Sequence, residues 1–231
     1  MNKKYPGKLF VIDGTDSTGK ATQTDLLVQN FQKRGYKTEI VDFPRYQDNI
    51  WGYLIGLYLK RKFGDPVKIS PCLASILYAM DRFLARKKMY QWLREGKIII
   101  SNRYTTSNQI HQAVKIADAL KRLKFMRWLD KFEYSFLGIP RPTAVIYLDV
   151  PIEISQKLLL SKTQRQYLGN QKKDGHEENI DYQRRCSEQG RFAAGEFGWH
   201  IVNCAEHDWI MPAEKIADFV WQEIEKRQTK Q

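Results

Sequence analysis

Cysteine is scarce in this sequence: among 231 residues there are three, Cys72, Cys186 and Cys204. They are odd in number, far apart and form no C-x-x-C, which excludes a disulfide framework or a zinc knuckle and points to a reducing compartment. Long apolar runs are missing too. The purely aliphatic runs are as short as Ile98–Ile100, whereas a membrane-spanning helix needs roughly 18 residues. Ahead of acidic Asp13 the apolar stretch is Leu9–Ile12, too short for the hydrophobic region of an export signal. A cytoplasmic protein with no membrane partner is therefore expected. His176, His200 and His207 show no metal-ligand spacing. No internal repeat or low-complexity linker divides the chain, so a single domain over residues 1–231 is expected.

What is present is a globular composition with a large positive excess. At 42% hydrophobic and 28% charged the chain can build a core and stay soluble, unlike a disordered or fibrous sequence. Lysine and arginine number 38 against 26 acidic residues, a net charge of +12, and the expected partner of that excess is phosphate. The basic residues fall in short groups such as Lys60-Arg61-Lys62 and Arg86-Lys87-Lys88, without regularly interleaved aromatics. A nucleic-acid footprint is thus a weaker reading than solvated helix faces or sites for small anionic ligands.

Apolar patterning predicts five strands, Lys8–Asp13, Thr38–Phe43, Lys97–Ser101, Thr143–Leu148 and His200–Asn203. Helical patterns fill the gaps, at about Gly19–Phe31, Ile50–Lys62, Pro71–Glu95, Thr106–Leu137, Pro151–Ser161, Asp181–Phe197 and Pro212–Lys226. Strands alternating with helices imply an α/β three-layer sandwich, a five-stranded parallel sheet covered on both faces. The polar exception is Lys162–Asn179, with two glycines and almost nothing apolar, expected to be a loop over a site. Asp149 ends a strand and is read as the cap of the helix at Pro151, the alternative being a Walker B-like carboxylate.

Gly14-Thr15-Asp16-Ser17-Thr18-Gly19-Lys20 matches G-x-x-x-x-G-K directly after the first strand and opens the first helix. That context makes it a P-loop: glycines let successive N–H groups face phosphate oxygens, and the lysine neutralises the β and γ charges. Expected ATP contacts are Gly14, Thr15, Ser17, Thr18, Gly19, Lys20, Ala21 and Thr22. Ala21 stands where a hydroxyl normally touches the metal, with Thr22 one step later. Arginine and tyrosine recur at the carboxyl ends of the next strands, Phe43-Pro44-Arg45-Tyr46 and Asn102-Arg103-Tyr104. That edge is where open parallel sheets bind ligands, and arginine grips phosphate through a fixed fork. The bland alternative is that these arginines pair with surface carboxylates.

These motifs, together with Tyr78-Ala79-Met80-Asp81-Arg82, Thr105-Thr106-Ser107-Asn108 and Leu148-Asp149-Val150-Pro151, resemble the thymidylate kinase (dTMP kinase) family of P-loop nucleoside monophosphate kinases over nearly the whole chain. The resemblance implies transfer of the γ-phosphoryl of Mg²⁺-bound ATP to dTMP, and a homodimer. It also implies that Asp16 holds the 3′-hydroxyl and that Arg45, Tyr46 and Arg103 hold the dTMP phosphate near Phe43 and Ser107. Tyr78 stacks on thymine, Arg82 and Asn108 read its polar edge, and His111 faces the sugar 2′ position. Read without the resemblance, Tyr78 is a core residue of an apolar helix and His111 a helix-packing histidine. The polar stretch becomes a lid, about residues 162–180. Since Ser17 and Thr18 are not arginine, Arg165, Lys172 and Lys173 are its candidates to stabilise the transferring phosphoryl group. Lys20, Arg103, Arg165 and Asp16 form the expected catalytic set. Asn102 replaces the family's usual aspartate, leaving magnesium to phosphates, Thr22, Asp16 and water. A kinase of another nucleotide or nucleoside, or a degenerate P-loop protein that binds without turnover, are the alternatives.

Overall fold

The structure, a computed structural model, describes residues 5–158 and 180–228. The first strand, β1 (Lys8–Gly14), is buried along nearly its whole length, the pattern of a strand covered on both faces. It is followed by α1 (Lys20–Lys33), β2 (Thr38–Asp42), α2 (Ile50–Leu59), α3 (Pro71–Arg94) and β3 (Ile98–Asn102). Then come α4 (Thr106–His111), α5 (Ala119–Asp130) and β4 (Ala144–Asp149). From residue 180 on come α6 (Ile180–Phe197), β5 (His200–Asn203) and α7 (Ala213–Gln228). The five strands pair in parallel in the order β2-β3-β1-β4-β5.

Alternation along β1 sends Phe10 and Ile12 to one face, where Leu27 and Phe31 of α1 and Ile216 and Val220 of α7 cover them. Leu9 and Val11 face the other way, against Ala85, Met89 and Leu93 of α3. The chain leaves β1 toward β2 and β3 on one side and β4 on the other. The carboxyl ends of β1 and β3 therefore meet at the switch point where such sheets bind ligands.

One expected helix is divided. The apolar pattern from Thr106 to Leu137 reads as continuous, but α4 ends at His111, a 3₁₀ turn covers Ala113–Lys115, and Ile116 is extended. Asp118 then caps a new helix, its side chain accepting from the Lys121 N–H at 2.7 Å. After α5 the chain passes into a π-helical segment, Lys131–Phe136. The expected helix at Ile50–Lys62 stops at Leu59, and Arg61 takes a positive φ of 60°. A short hairpin, Ala205–Glu206 with Trp209–Ile210, had no signal in the apolar pattern.

The link between α2 and α3 is fastened from below by Lys115. Its Nζ donates to the Pro66 carbonyl at 2.6 Å, the Tyr58 hydroxyl at 2.9 Å and the Ile69 carbonyl at 3.4 Å. Burial pushes this amine down to about 8, against a weaker opposing pull from Asp65. Above pH 8 the unfolded chain keeps a proton that the folded chain has released, so this group makes stability rise with pH until the unfolded amine titrates near 10.4. Between pH 8 and 9, wild type is expected to gain about 1 kcal/mol of unfolding free energy relative to Lys115→Met. Urea titrations of both proteins at each pH measure it, and parallel pH profiles would contradict it.

Candidate active site

The loop after β1 adopts positive φ at Gly14 (158°), Ser17 (59°) and Gly19 (84°), a backbone in which successive N–H groups can converge on an anion. Gly14 is also required by space: a Cβ there would stand 2.8 Å from both the Leu148 carbonyl and Thr18 Oγ1. Thr18 Oγ1 donates to the Thr15 carbonyl at 2.9 Å, and Lys20 Nζ donates to the same oxygen. Helix α1 opens at Lys20, so its positive end faces the loop. Ala21 and Thr22 are exposed.

Asp13, fully buried, ties this loop to the next strand's exit. Its Oδ1 accepts from the Gly14 N–H at 2.8 Å, and its Oδ2 accepts from the hydroxyls of Thr106 and, at 2.8 Å, Ser107. The hydroxyl of Ser107, expected at the acceptor nucleotide, is thus engaged by Asp13, although the residue also lines the cleft described below.

Arg103 follows β3 with φ 61°, uncommon for a residue bearing a side chain. The Arg103 N–H donates to the Ile12 carbonyl at 3.0 Å, and Ser101 Oγ donates to the Arg103 carbonyl at 2.6 Å, so the strained turn is held from both sides. Its guanidinium forms an ion pair with Asp16 and lies 3.1 Å from His111 Nε2. Arginine has no acceptor, so Nε2 accepts and the ring proton sits on Nδ1. Burial opposes charge on Asp16, but Arg103 and then Lys20 outweigh it and hold the carboxyl well below the usual range.

Beside the loop opens a cleft of about 110 Å³. Asp16, Phe43, Tyr46, Tyr78, Arg82, Arg103, Ser107, Asn108 and His111 line it, with Leu59 and Gln112. Tyr78 stands edge-on to Tyr58, ring centroids 6.2 Å apart. Arg45 is the exception among the residues expected at the acceptor phosphate. Its backbone N–H and Nε donate to the two Asp81 carboxylate oxygens at 2.9 and 3.0 Å, and its Nη2 to the Asp81 carbonyl at 2.7 Å. Its guanidinium is held by this wall, outside the cleft lining, because Asp81 is buried and also binds Asn49 Nδ2 at 2.7 Å. Asn49 in turn caps α2. Gly52 allows that helix to press close, since a Cβ there would fall 1.8 Å from the Arg45 carbonyl oxygen.

At the cleft wall Arg82 is locked by Glu133, which accepts from Nε at 2.7 Å and Nη2 at 2.8 Å and from Asn108 Nδ2 at 3.0 Å. Arg82 Nη1 donates to the Tyr104 carbonyl at 3.2 Å. Sequence reasoning missed the roles of Asp13, Asp81 and Glu133, and their signal was weak: each is a lone acidic residue whose main partners are distant in sequence. Asp149, read as a cap, accepts from Arg191 Nη1 at 2.9 Å. The lid residues Arg165, Lys172 and Lys173 lie outside the described residues.

A phosphate loop and an arginine-lined cleft on one edge of a five-stranded parallel sheet define a P-loop α/β protein. Residues 12–209 match the family described as Thymidylate kinase. The thymidylate kinase of Mycobacterium tuberculosis (strain ATCC 25618 / H37Rv) is 26% identical over 177 residues, covering 77% of this chain and 81% of that protein. The probable thymidylate kinase of Pyrococcus horikoshii is 34% identical over 151 residues, 64% of this chain and 68% of that protein. A solved thymidylate kinase structure from Candida albicans superposes with a TM-score of 0.71 over 97% of this chain and 94% of that one, at 20% identity, a likeness of fold. The chain belongs to the thymidylate kinase family.

Proposed function

We propose that this protein transfers the γ-phosphoryl group of ATP to the 5′-phosphate of dTMP, giving dTDP and ADP. The observation that carries the reading is the pairing of a P-loop with a cleft that presents an arginine, an aromatic face and an amide from one sheet edge. Lys20 and the loop N–H groups hold the triphosphate. Arg103 takes the acceptor phosphate and Asp16 the sugar hydroxyl, the nucleotide parting the ion pair that now joins them. Tyr78 covers the base, Arg82, fixed by Glu133, presents a donor to its polar edge, and Asn108, whose Nδ2 donates to Glu133 and the Ser75 carbonyl, presents its Oδ1 as an acceptor. Arg45 acts on the cleft through Asp81 and Asn49. Catalysis is positioning plus charge neutralisation, with no covalent enzyme intermediate.

Magnesium enters the same proposal. Among the described residues no three His, Cys, Asp or Glu side chains converge, so the ion's ligands come mainly from phosphates and water. Oxygen donors near the loop fit a hard cation, the Thr22 hydroxyl and the Asp42 carboxylate, and beside Asp42 the buried Asn102 Oδ1 has no hydrogen-bond partner. Bound with ATP, magnesium neutralises charge on the β and γ phosphates. Asp16, paired with Arg103, is the weaker candidate. We extend the proposal to a homodimer, supported by Ile50 and Tyr53 on α2 and Leu73 and Leu84 on α3, large and exposed on two packed helices. A cytoplasmic compartment is in keeping with three free thiols. No described helix is long and apolar enough to cross a membrane.

A panel of acceptors tests the function. With ATP and magnesium, dTMP and dUMP are expected to turn over, and thymidine, which offers Arg103 no phosphate, to be inert. For dCMP the 4-amino donor faces the Arg82 donors, an unpaired contact of about 1–3 kcal/mol, so kcat/KM falls roughly ten- to hundredfold. Equal kcat/KM for dCMP and dTMP would contradict this base site.

A further inference from the structure

The carboxyl ends of β2 and β3 carry a side-chain pair whose function is open. Asp42 and Asn102 are register partners across the two strands. Burial raises the Asp42 carboxyl above its usual range, against the positive charges of Arg103 and Lys20 and the neighbouring Asn102 side chain, which favour the charged form. A carboxylate can only accept, so the amide nitrogen donates and Asn102 Oδ1 is the atom left over. That oxygen is buried and has no hydrogen-bond partner, a state that costs about 1–3 kcal/mol. Asp42 itself is exposed, so one carboxylate stands open at the edge where the P-loop lysine and the acceptor arginine meet. A second carboxylate at position 102 would face Asp42 with like charge and nothing to bridge them. The amide removes that repulsion and orients the one charge that remains.

We propose that Asp42, oriented by Asn102, is the carboxylate this chain turns toward the divalent metal of bound metal–ATP. The proposal rests on the ATP and dTMP reading of the site. It accounts for the missing aspartate at position 102: the negative charge is present at the same edge, one strand away. Asn102 is then a positioning residue, and restoring a carboxylate there brings no gain while Asp42 remains.

Mn²⁺, followed by electron paramagnetic resonance, probes this without turnover, using the full chain with dTMP and a non-hydrolysable ATP analogue. Asp42→Asn is expected to weaken Mn²⁺ binding about tenfold or more, with metal-free dTMP affinity unchanged. Asn102→Asp alone is expected not to tighten it. The exchange Asp42→Asn/Asn102→Asp, which again gives one carboxylate and one amide, is expected to return to within about threefold of wild type. Asp42 is exposed, so its variant folds, and a thermal melt verifies that. An Asp42→Asn affinity within twofold of wild type would overturn the proposal, as would tenfold tighter binding in Asn102→Asp. A wild-type protein that binds no Mn²⁺ with the analogue overturns the ATP reading itself and this proposal with it, an outcome distinct from the variant result.

Discussion

Lys20→Ala is expected to lower turnover by at least about a thousandfold while the protein stays folded. The lysine is buried at the foot of the P-loop, 8% exposed, with its amine drawn onto the Thr15 carbonyl. It is the one side-chain cation inside the loop, and in the reaction it faces oxygens whose charge is redistributed as the phosphoryl group moves. A fixed charge there acts in a partly desolvated site, where removing a single donor already costs roughly a hundred- to a thousandfold. The loop shape rests on Gly14, Gly19 and the Thr18 hydroxyl, so the fold does not depend on the amine. The check is kcat for dTMP beside the thermal midpoint. Turnover within tenfold of wild type would remove the loop's assigned role.

The largest stability effect is expected at Glu133. Removing it in Glu133→Ala leaves the Arg82 guanidinium, 1% exposed, buried without its counter-ion, and takes an acceptor from Asn108. Breaking such a pair costs about 3–5 kcal/mol, or a drop in Tm of roughly 6 to 20 °C for a chain of this size. The double variant Arg82→Met/Glu133→Leu removes both charges, so it is expected to regain most of the loss. It should nevertheless lose dTMP discrimination, because the donors at the base edge go with Arg82. Urea unfolding of the three proteins measures the first effect and the dTMP to dCMP ratio the second. A single-variant loss under about 1 kcal/mol would show that Glu133 is not what fixes Arg82.

The parts of the molecule that sequence made legible are those where local chemistry and global fold agree. Lys8–Asp13 reads as a buried strand because alternate side chains meet apolar helices on both faces. The glycines at 14 and 19 read as a phosphate loop because the strand and helix flank them. What stayed hidden depends on contacts distant in sequence. Glu133 lies in an amphipathic run where an acidic residue reads as solvated, and only the π-helical turn and the approach of α3 put it against Arg82, 51 residues away. Arg45 reads as a phosphate ligand from its place after β2, yet buried Asp81, 36 residues on, holds it. The division of Thr106–Leu137 was obscured because Asp118 caps a helix inside a pattern whose apolar period hardly changes. The Asp42 and Asn102 pair exists only once two strands are in register.

The central claim is that the acceptor is a nucleoside monophosphate with a thymine base, and product identification by ³¹P NMR tests it most directly. With ATP, magnesium and dTMP, the account predicts dTDP and ADP formed in equal amounts, and no consumption of ATP when dTMP is omitted or replaced by thymidine. Conversion of thymidine to dTMP at a comparable rate, or loss of ATP to ADP and inorganic phosphate without dTDP, would contradict it.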